Sequence, residues 1–452
     1  MDNINSQVAA TNADDAARAA ASADTSAAPA TVTAPSDGHR PRVAVVTMGV
    51  KLGDETRGYT RFRFLSELLV REGFDVDLFT SSFQHWEKAQ RDTARACYRN
   101  LPYRVRFIEE PGYKKNLDLA RIRSHRIAAK NLRRMLGEAL AHDPHAYRLI
   151  YAEIPPNDVA RTCAEVAHDH GVPFVADIND LWPEAMRMAV NVPVVSDIAF
   201  HPFARDAKAT YRLLSAAVGT SDEYAARPLA DREAPCPTVT VYVGNDLATF
   251  DAGVAANAPR ISKPAGEFWV TYAGTLGASY DIATLVEAAS ALNDRKSSGP
   301  TKRVRVKILG DGPDRASLEE LATRRGAPVD FLGYTPYDQM AAYLSASDVT
   351  VNSLVASAPQ SIVTKIGDYL ASGKPLINTG SSPEFRAKVA SDGFGVNVPA
   401  ENVTALADAI CELAANPRAC ADMGARGRTI AEQQFDQPKA YLKIVDLIRS
   451  LL

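Results

Sequence analysis

From Arg42 onward, short runs rich in β-branched residues alternate with segments of helical periodicity, the pattern of parallel sheets with crossover helices. The first half of the chain offers RVAVVTMG, FDVDLFTSS, YRVRFIEE, LIYAEI, FVADIND, AVGTS and TVTVYVG as strands. A second series opens at EFWVTYAGTLG and continues through VRVKILGDG, VDFLGYT, DVTVNSL, PLINTG and GVNVP, with helical stretches such as DIATLVEAASAL between them. This order predicts two doubly wound α/β domains, residues 41–245 and 267–430. Parallel sheets collect ligands at the carboxyl ends of their strands, so a ligand is expected in a cleft between the domains. Residues 246–266 are rich in Gly, Pro, Ala and Asn and keep no sustained period, which predicts an interdomain connection. In the closing segment, 431–452, Tyr441, Ile444, Val445, Ile448 and Leu451 recur at helical spacing; this predicts an amphipathic helix that must dock.

A length of 452 residues accommodates two domains with separate cores. Hydrophobic residues at 46%, charged residues at 23% and a net charge of -3 describe an ordinary globular protein, and nothing global points to nucleic acid. The five cysteines, Cys97, Cys163, Cys236, Cys411 and Cys420, form neither a CxxC pair nor a disulfide framework, which fits a reducing, cytoplasmic compartment. Residues 1–40 are rich in Ala, Thr, Ser, Asp and Pro without a basic start and an apolar core; they read as a disordered tail rather than a signal peptide. No run approaches the roughly 18 apolar residues that span a bilayer, so any membrane contact is expected to be peripheral.

Three strand exits carry glycines. GVKLGDETRGYTRF places Gly58, Thr60 and Arg61 before a helix, and Arg57 and Arg61 tilt this loop toward an anion. YAGTLGASYD holds Gly274, Thr275, Gly277 and Tyr280, and ILGDGPDRASLEEL holds Gly310, Asp311 and Gly312, with Asp314 at a helix start. Any one of these loops reads equally as a turn; their coincidence argues for phosphate or nucleotide binding. In QSIVTKIGDYLASGKP, Ile362, Ile366, Tyr369 and Leu370 share one face of a helix, with Ser361, Lys365, Asp368 and Ser372 on a neighbouring polar one. Periodicity alone makes Lys365 and Asp368 a solvated ion pair of a few tenths of a kcal/mol. Ser357 and Gln360 have capping-box spacing. DINDLWPE ends a strand in Asp177, Asn179 and Asp180, followed by Trp182. These acids either accept hydroxyl hydrogen bonds and act as a base, or cap a helix near Pro183 with Trp182 in the core. Finally, residues 112–135 carry Lys114, Lys115, Arg121, Arg123, Arg126, Lys130, Arg133 and Arg134, with Leu117, Ile122, Ile127 and Leu132 as apolar surface. A solvated face and a basic helix on an anionic membrane are both open.

The ordered set YAGTLGASYDIATLVEAA, ILGDGPDRASLEEL, FLGYTPYDQMAAYLSASDVTV, KIGDYLASGKPLI, GSSPEF and GFGVNVPAEN resembles the C-terminal half of glycosyltransferase family four (group 1), the retaining GT-B enzymes. DINDLWPE is similar to the D-x-R-D-x-W-P segment of the bacterial capsule, O-antigen and exopolysaccharide branch, and YVGNDLATF to its interdomain N-G-x-D stretch. The resemblance implies two Rossmann-like domains facing a central cleft, with donor binding in the C-terminal domain and acceptor binding in the N-terminal one. It implies that Asp368 is the second acid of E-x7-E and binds ribose hydroxyls. Gln360 stands at the first acid, which contacts the sugar, and Lys365 neutralises the leaving diphosphate. Glu384 matches the acid of the G-x-x-P-E turn. Departures are the amide at Gln360, Ser279 and Tyr280 in place of the basic diphosphate clamp, and Asn179 where a histidine usually precedes the acid, here Asp180.

The expected function is transfer of a sugar from a nucleotide sugar, UDP-linked, to a polyprenyl-diphosphate-linked or growing glycan, with retention and without a metal or other cofactor. The expected place is the inner face of the plasma membrane. Two alternatives stay open at this point: a nucleotide-sugar epimerase of the same architecture, and a non-catalytic binding or scaffold subunit.

Overall fold

Every residue of the strand Glu267–Ala273 is buried, as expected of a strand covered by helices on both faces of its sheet. The computed structural model describes residues 40–53, 55, 60–115, 118–189, 195–294, 302–358 and 362–452. These fall into two units, one running to Val241 and including Tyr441–Leu452, the other comprising Tyr242–Ala440.

In the first unit the strands are β1 (Arg42–Val46), β2 (Asp75–Ser81), the short hairpin β3 (Phe83–Gln84) and β4 (Ala89–Gln90), β5 (Arg104–Ile108), β6 (Leu149–Ile154), β7 (Phe174–Ile178), β8 (Ala216–Gly219) and β9 (Thr238–Thr240). All but the hairpin form one parallel sheet in the order β5-β2-β1-β6-β7-β8-β9. The order reverses direction between β1 and β6. The crevice beyond their carboxyl ends is therefore where such a sheet accepts a ligand. The core holds Val46, Ile150, Ala176 and Phe174 from the strands, and Leu132, Leu136, Leu140 and Cys163 from the helices Leu119–His142 and Asn157–Asp169.

The second unit contains β10 (Glu267–Ala273), β11 (Arg303–Leu309), β12 (Val329–Gly333), β13 (Val349–Asn352), β14 (Leu376–Asn378) and β15 (Gly395–Asn397). They form a parallel sheet in the order β12-β11-β10-β13-β14-β15, with its switch point between β10 and β13. Fully buried Val270, Val306, Ile308, Val351 and Ile377 make its centre; each such side chain contributes about 1.5–3 kcal/mol by leaving water.

Two boundaries differ from the sequence expectation. Residues 246–266 are no bare connection: Asp246 accepts from the N–H groups of Ala248 (3.0 Å) and Thr249 (3.3 Å), capping a helix Leu247–Asn257. That helix lies on Tyr337–Ala346 so closely that a Cβ on Gly253 would stand 2.7 Å from the Asp338 Cα. The closing segment is not one helix from 431. Residues Ala431–Phe435 make a wide turn of helix within the second unit, Phe435 stacking on Tyr242 at 4.5 Å. Only the helix Leu442–Ser450 belongs to the first unit, where Ile444, Val445 and Ile448 are buried.

Candidate functional site

Two adjacent strands of the second sheet, β10 at the switch point and its neighbour β11, end in glycine-bearing exits. A Cβ on Gly310 would stand 1.9 Å from the Gly274 carbonyl oxygen, and one on Gly312 would stand 2.1 Å from that of Leu276. These glycines let the two loops lie against each other, which the left-handed backbone of Gly310 (φ 128°) also requires. Gly277 differs: a Cβ there meets nothing nearer than Thr275 Cγ2 at 3.7 Å. Its bareness is not demanded by the fold and leaves the backbone open to a ligand.

Beneath these loops lies Lys365, 3% exposed. Its Nζ donates to the Tyr272 hydroxyl at 2.9 Å and lies 4.1 and 3.9 Å from the ring centroids of Tyr272 and Tyr280. A Cβ on Gly274 would come within 2.7 Å of that Nζ, so the ammonium stands directly under the β10 exit. Among the described residues Lys365 makes no ion pair, and burial pulls its pKa well below the usual lysine range. The Tyr272 hydroxyl in turn donates to the Thr275 carbonyl at 2.7 Å. The buried Tyr280 hydroxyl finds no hydrogen-bond partner among the described residues. A buried ammonium walled by tyrosines, without an acid beside it, is costly unless an anion arrives.

The surface ion pair suggested by periodicity does not exist. The helix is only Ile366–Ala371, with Lys365 at its cap position, and Asp368 is 2% exposed. Asp368 Oδ1 accepts from Asn245 Nδ2 and the Tyr337 hydroxyl, both at 2.8 Å. Burial raises its pKa to about 7 against the opposing effect of those two bonds. Tyr369, from the same helix, accepts from the Ala273 N–H and donates to the Ala273 carbonyl, both at 2.9 Å, and so fixes the helix to the end of β10. Asn245 and Tyr337 escaped the sequence reading. The only available signal was Asn245 in the interdomain stretch.

Other expected donor residues are placed more simply. Asp311 turns onto its own loop, accepting from the Gly312 N–H at 2.8 Å and from Arg315 at 3.3 Å. Asp314 occupies the cap position of the helix Arg315–Arg325. Glu384 is half-buried in the first turn of Pro383–Asp392, just past β14. Gln360 and Ser361 lie outside the described residues.

In the first unit, Gly58 and Arg57 also lie outside the described residues, and Thr60 precedes the helix Arg61–Arg71 without a side-chain cap bond. Arg61 is corrected from anion ligand to structural anchor. It is fully buried and bidentate to Asp177 (2.8 and 3.1 Å), donates to the Val241 carbonyl (3.0 Å) and lies 3.1 Å from the Tyr441 hydroxyl. Asp177, also fully buried, accepts from Tyr151 at 2.6 Å, so neither residue faces a ligand. Asp180 accepts from the Leu181 N–H (2.9 Å) and Trp182 Nε1 (3.1 Å), and burial raises its pKa to about 6. Both bonds tie its side chain to its own loop, ahead of the helix Glu184–Ala189.

Glu153, in β6 at the first switch point, was missed. Its carboxylate accepts from Thr47 Oγ1 (2.5 Å) and the Met48 N–H (3.3 Å) of the β1 exit, and burial raises its pKa to about 7. In sequence it is a single acid in an apolar strand. Its value comes from the neighbouring strand, which periodicity does not reveal.

Residues 267–416 match the family described as Glycosyl transferases group 1. No curated protein sequence matches this one. Among solved structures, HepE from Anabaena in complex with UDP is 15% identical, covering 91% of this chain and 100% of its own, with a TM-score of 0.64. Sucrose-phosphate synthase from Thermosynechococcus elongatus is 19% identical over 91% of this chain and 99% of its own, at 0.63. The UDP-forming α,α-trehalose-phosphate synthase from Burkholderia vietnamiensis is 15% identical over 91% and 99%, at 0.61. The fold of the chain is GT-B, two Rossmann-like units, each built on a parallel sheet.

Proposed function

We propose that the chain is a glycosyltransferase that moves a sugar from a nucleotide-sugar donor, UDP-linked, to a lipid-linked or growing polysaccharide acceptor, with retention of anomeric configuration. The observation that carries this reading is the buried Lys365 ammonium under the Gly274 turn, at the switch point of the second sheet. A diphosphate there gains a cation without an acid to displace, and the backbone at Gly277 approaches it without a side chain in the way. The family match over 267–416 covers the same unit, and UDP is bound by one structural neighbour.

In this reading the bond from the anomeric carbon to the diphosphate breaks as the acceptor hydroxyl attacks from the same face, and the departing phosphate takes the acceptor proton. Lys365 offsets the charge that develops on the diphosphate. Asp368 belongs to the ribose side of the donor, and Gln360 to the transferred sugar. Asp180 and Glu153 serve the acceptor side, and the chemistry calls on no metal.

Peripheral attachment to an anionic membrane belongs to the proposal, on a narrower surface than the sequence suggested. Leu132, Leu136 and Leu140 are buried in the core, while Leu117 lies outside the described residues. Leu119 is 82% exposed, and Lys114, Lys115, Arg123, Arg126 and Lys130 of the same stretch of chain are exposed as well. Arg133 and Arg134 pair instead with Glu165 and Glu138. No helix among the described residues is long and apolar enough to cross a membrane.

The test is product analysis with a panel of nucleotide sugars and lipid-diphosphate or glycan acceptors. Acceptor-dependent release of nucleotide with a new glycosidic product supports transfer. Donor isomerisation without an acceptor would establish an epimerase instead, and donor binding with no turnover a scaffold.

A further inference from the structure

Glu153 stands at the switch point between β1 and β6 with one carboxylate oxygen committed and the other not. Oε2 accepts from Thr47 Oγ1 at 2.5 Å and from the Met48 N–H at 3.3 Å, while Oε1 has no hydrogen-bond partner among the described residues. Thr47 Oγ1 also accepts from the Gly49 N–H at 3.3 Å, so the β1 exit fixes the carboxylate by one edge. Trp86, from the turn between β3 and β4, lies over the same exit. A Cβ on Gly49 would stand 3.1 Å from Trp86 Cη2 and 3.8 Å from Cζ3, so the missing side chain lets the indole come down on the residues that hold Glu153. His85 meets this indole edge-on, ring centroids 5.2 Å apart, and both Trp86 and Glu153 are half-buried. The charged groups that act on Glu153 are Asp177, its register partner on β7, and Arg61, and these two are bonded to each other. Neither charge is left over to draw an anion.

We propose that Glu153 and Trp86 form a recognition subsite for a neutral pyranose, with Oε1 accepting from a sugar hydroxyl and the indole covering an apolar face of the ring. An ionised carboxylate oxygen offers unused lone pairs, and its hydrogen bonds are stronger than those between neutral groups. The C–H groups on one side of a pyranose are apolar surface, which a tryptophan ring removes from water. The glycosyltransferase reading enters in making this pyranose the sugar that receives the new bond; the subsite itself stands on the geometry of the first sheet. It narrows the acceptor to one that ends in an uncharged sugar, and it makes Glu153 the group that selects which hydroxyl is turned inward.

The experiment titrates the methyl glycosides of glucose, galactose, mannose and N-acetylglucosamine into the full chain without nucleotide, read by saturation-transfer NMR. Saturable binding of at least one is expected in the wild type, weakened about tenfold in Glu153→Gln, where the amide keeps an oxygen for Thr47 and Met48 but puts an N–H donor in place of Oε1. Trp86→Ala weakens it about three- to tenfold, and Trp86→Phe less. Asp169→Asn, an exposed acid at the end of Asn157–Asp169, leaves it unchanged. Monodeoxy forms of the tightest binder locate the contact. Removing the hydroxyl that meets Oε1 costs the wild type about tenfold and Glu153→Gln little, the coupling expected of two groups that touch. Circular dichroism checks folding, and Trp86→Ala, on a turn, decides the matter if Glu153→Gln unfolds. No saturable binding, wild-type affinity in folded Glu153→Gln or folded Trp86→Ala, or displacement of the glycoside by inorganic phosphate would overturn the proposal. UDP is absent throughout, so a failed UDP titration counts against the nucleotide-sugar reading alone and leaves the glycoside result standing.

Discussion

The Lys365 ammonium donates to the Tyr272 hydroxyl at 2.9 Å, in a pocket where burial pulls the lysine pKa well below its ordinary range. Without a ligand, the lysine is therefore easier to deprotonate than in water. A diphosphate beside it favours the charged form and raises that pKa again. Binding of UDP at pH 8 is expected to take up protons, up to one per site, and affinity is expected to fall as pH rises. Calorimetry in buffers of different ionisation enthalpy measures this directly. A binding enthalpy independent of buffer would contradict the assignment.

Asp368 makes the opposite contribution. Its folded pKa of about 7 lies above the ordinary aspartate value of 3.8. The folded state thus binds the extra proton between those values. The associated stability is fully present below the lower pKa and is lost as pH rises through the upper one. Asp368→Asn keeps an oxygen for Asn245 and Tyr337 but removes the buried charge. The variant is expected to be more stable than the wild type by roughly 2 kcal/mol or more at pH 8, and to lose this advantage toward pH 4. It should bind UDP more weakly. Denaturant melts at the two pH values check the first expectation, and a constant difference would refute it.

The glycine loops separate folding from binding. Gly312→Ala drives a Cβ to 2.1 Å from the Leu276 carbonyl oxygen and should lower stability by several kcal/mol. Gly277→Ala fits, with 3.7 Å to its nearest neighbour, and should leave the melting temperature within about 2 °C while weakening UDP binding about tenfold or more. Thermal melts paired with UDP titrations distinguish them. Unchanged UDP affinity in Gly277→Ala would remove that loop from the site.

On the surface, Arg123→Gln, Arg126→Gln and Lys130→Gln together should reduce binding to phosphatidylserine vesicles by about tenfold or more at low salt, at about 1 kcal/mol per charge near the surface. Arg133→Gln with Arg134→Gln should do less, because both arginines are paired with glutamates. Vesicle co-sedimentation across a salt series is the measurement. Indifference of the triple variant would end the membrane proposal.

The strands of both sheets were legible because buried parallel strands are short, mostly apolar runs enriched in β-branched and aromatic residues, as in Val43–Val46 and Glu267–Ala273. The helix Leu247–Asn257 was not, since its small and apolar residues surround the axis and give no period; its one clear mark is the capping Asp246. Periodicity alone put Lys365 and Asp368 on a solvated face, because a helix of six residues inside a packed unit has no such face to predict from; the expectation of a donor-binding pair came from the resemblance and the glycine loops. Arg61 and Asp177 were found as polar residues at strand exits, and each turned out to be the other's partner. Glu153 and Trp86 were invisible. Their meaning depends on contacts between strands and turns distant in sequence, such as the one joining Glu153 to Thr47.

The central claim is that the second unit binds a nucleotide diphosphate over Lys365. Calorimetric titration of UDP into the wild type and Lys365→Ala tests it most directly. Saturable binding to the wild type is expected, with at least tenfold weaker binding to the variant, the loss of about 1.5–3 kcal/mol expected for a charge-assisted hydrogen bond, and the fold unchanged by circular dichroism. Equal affinity in the two proteins, both folded, would contradict it.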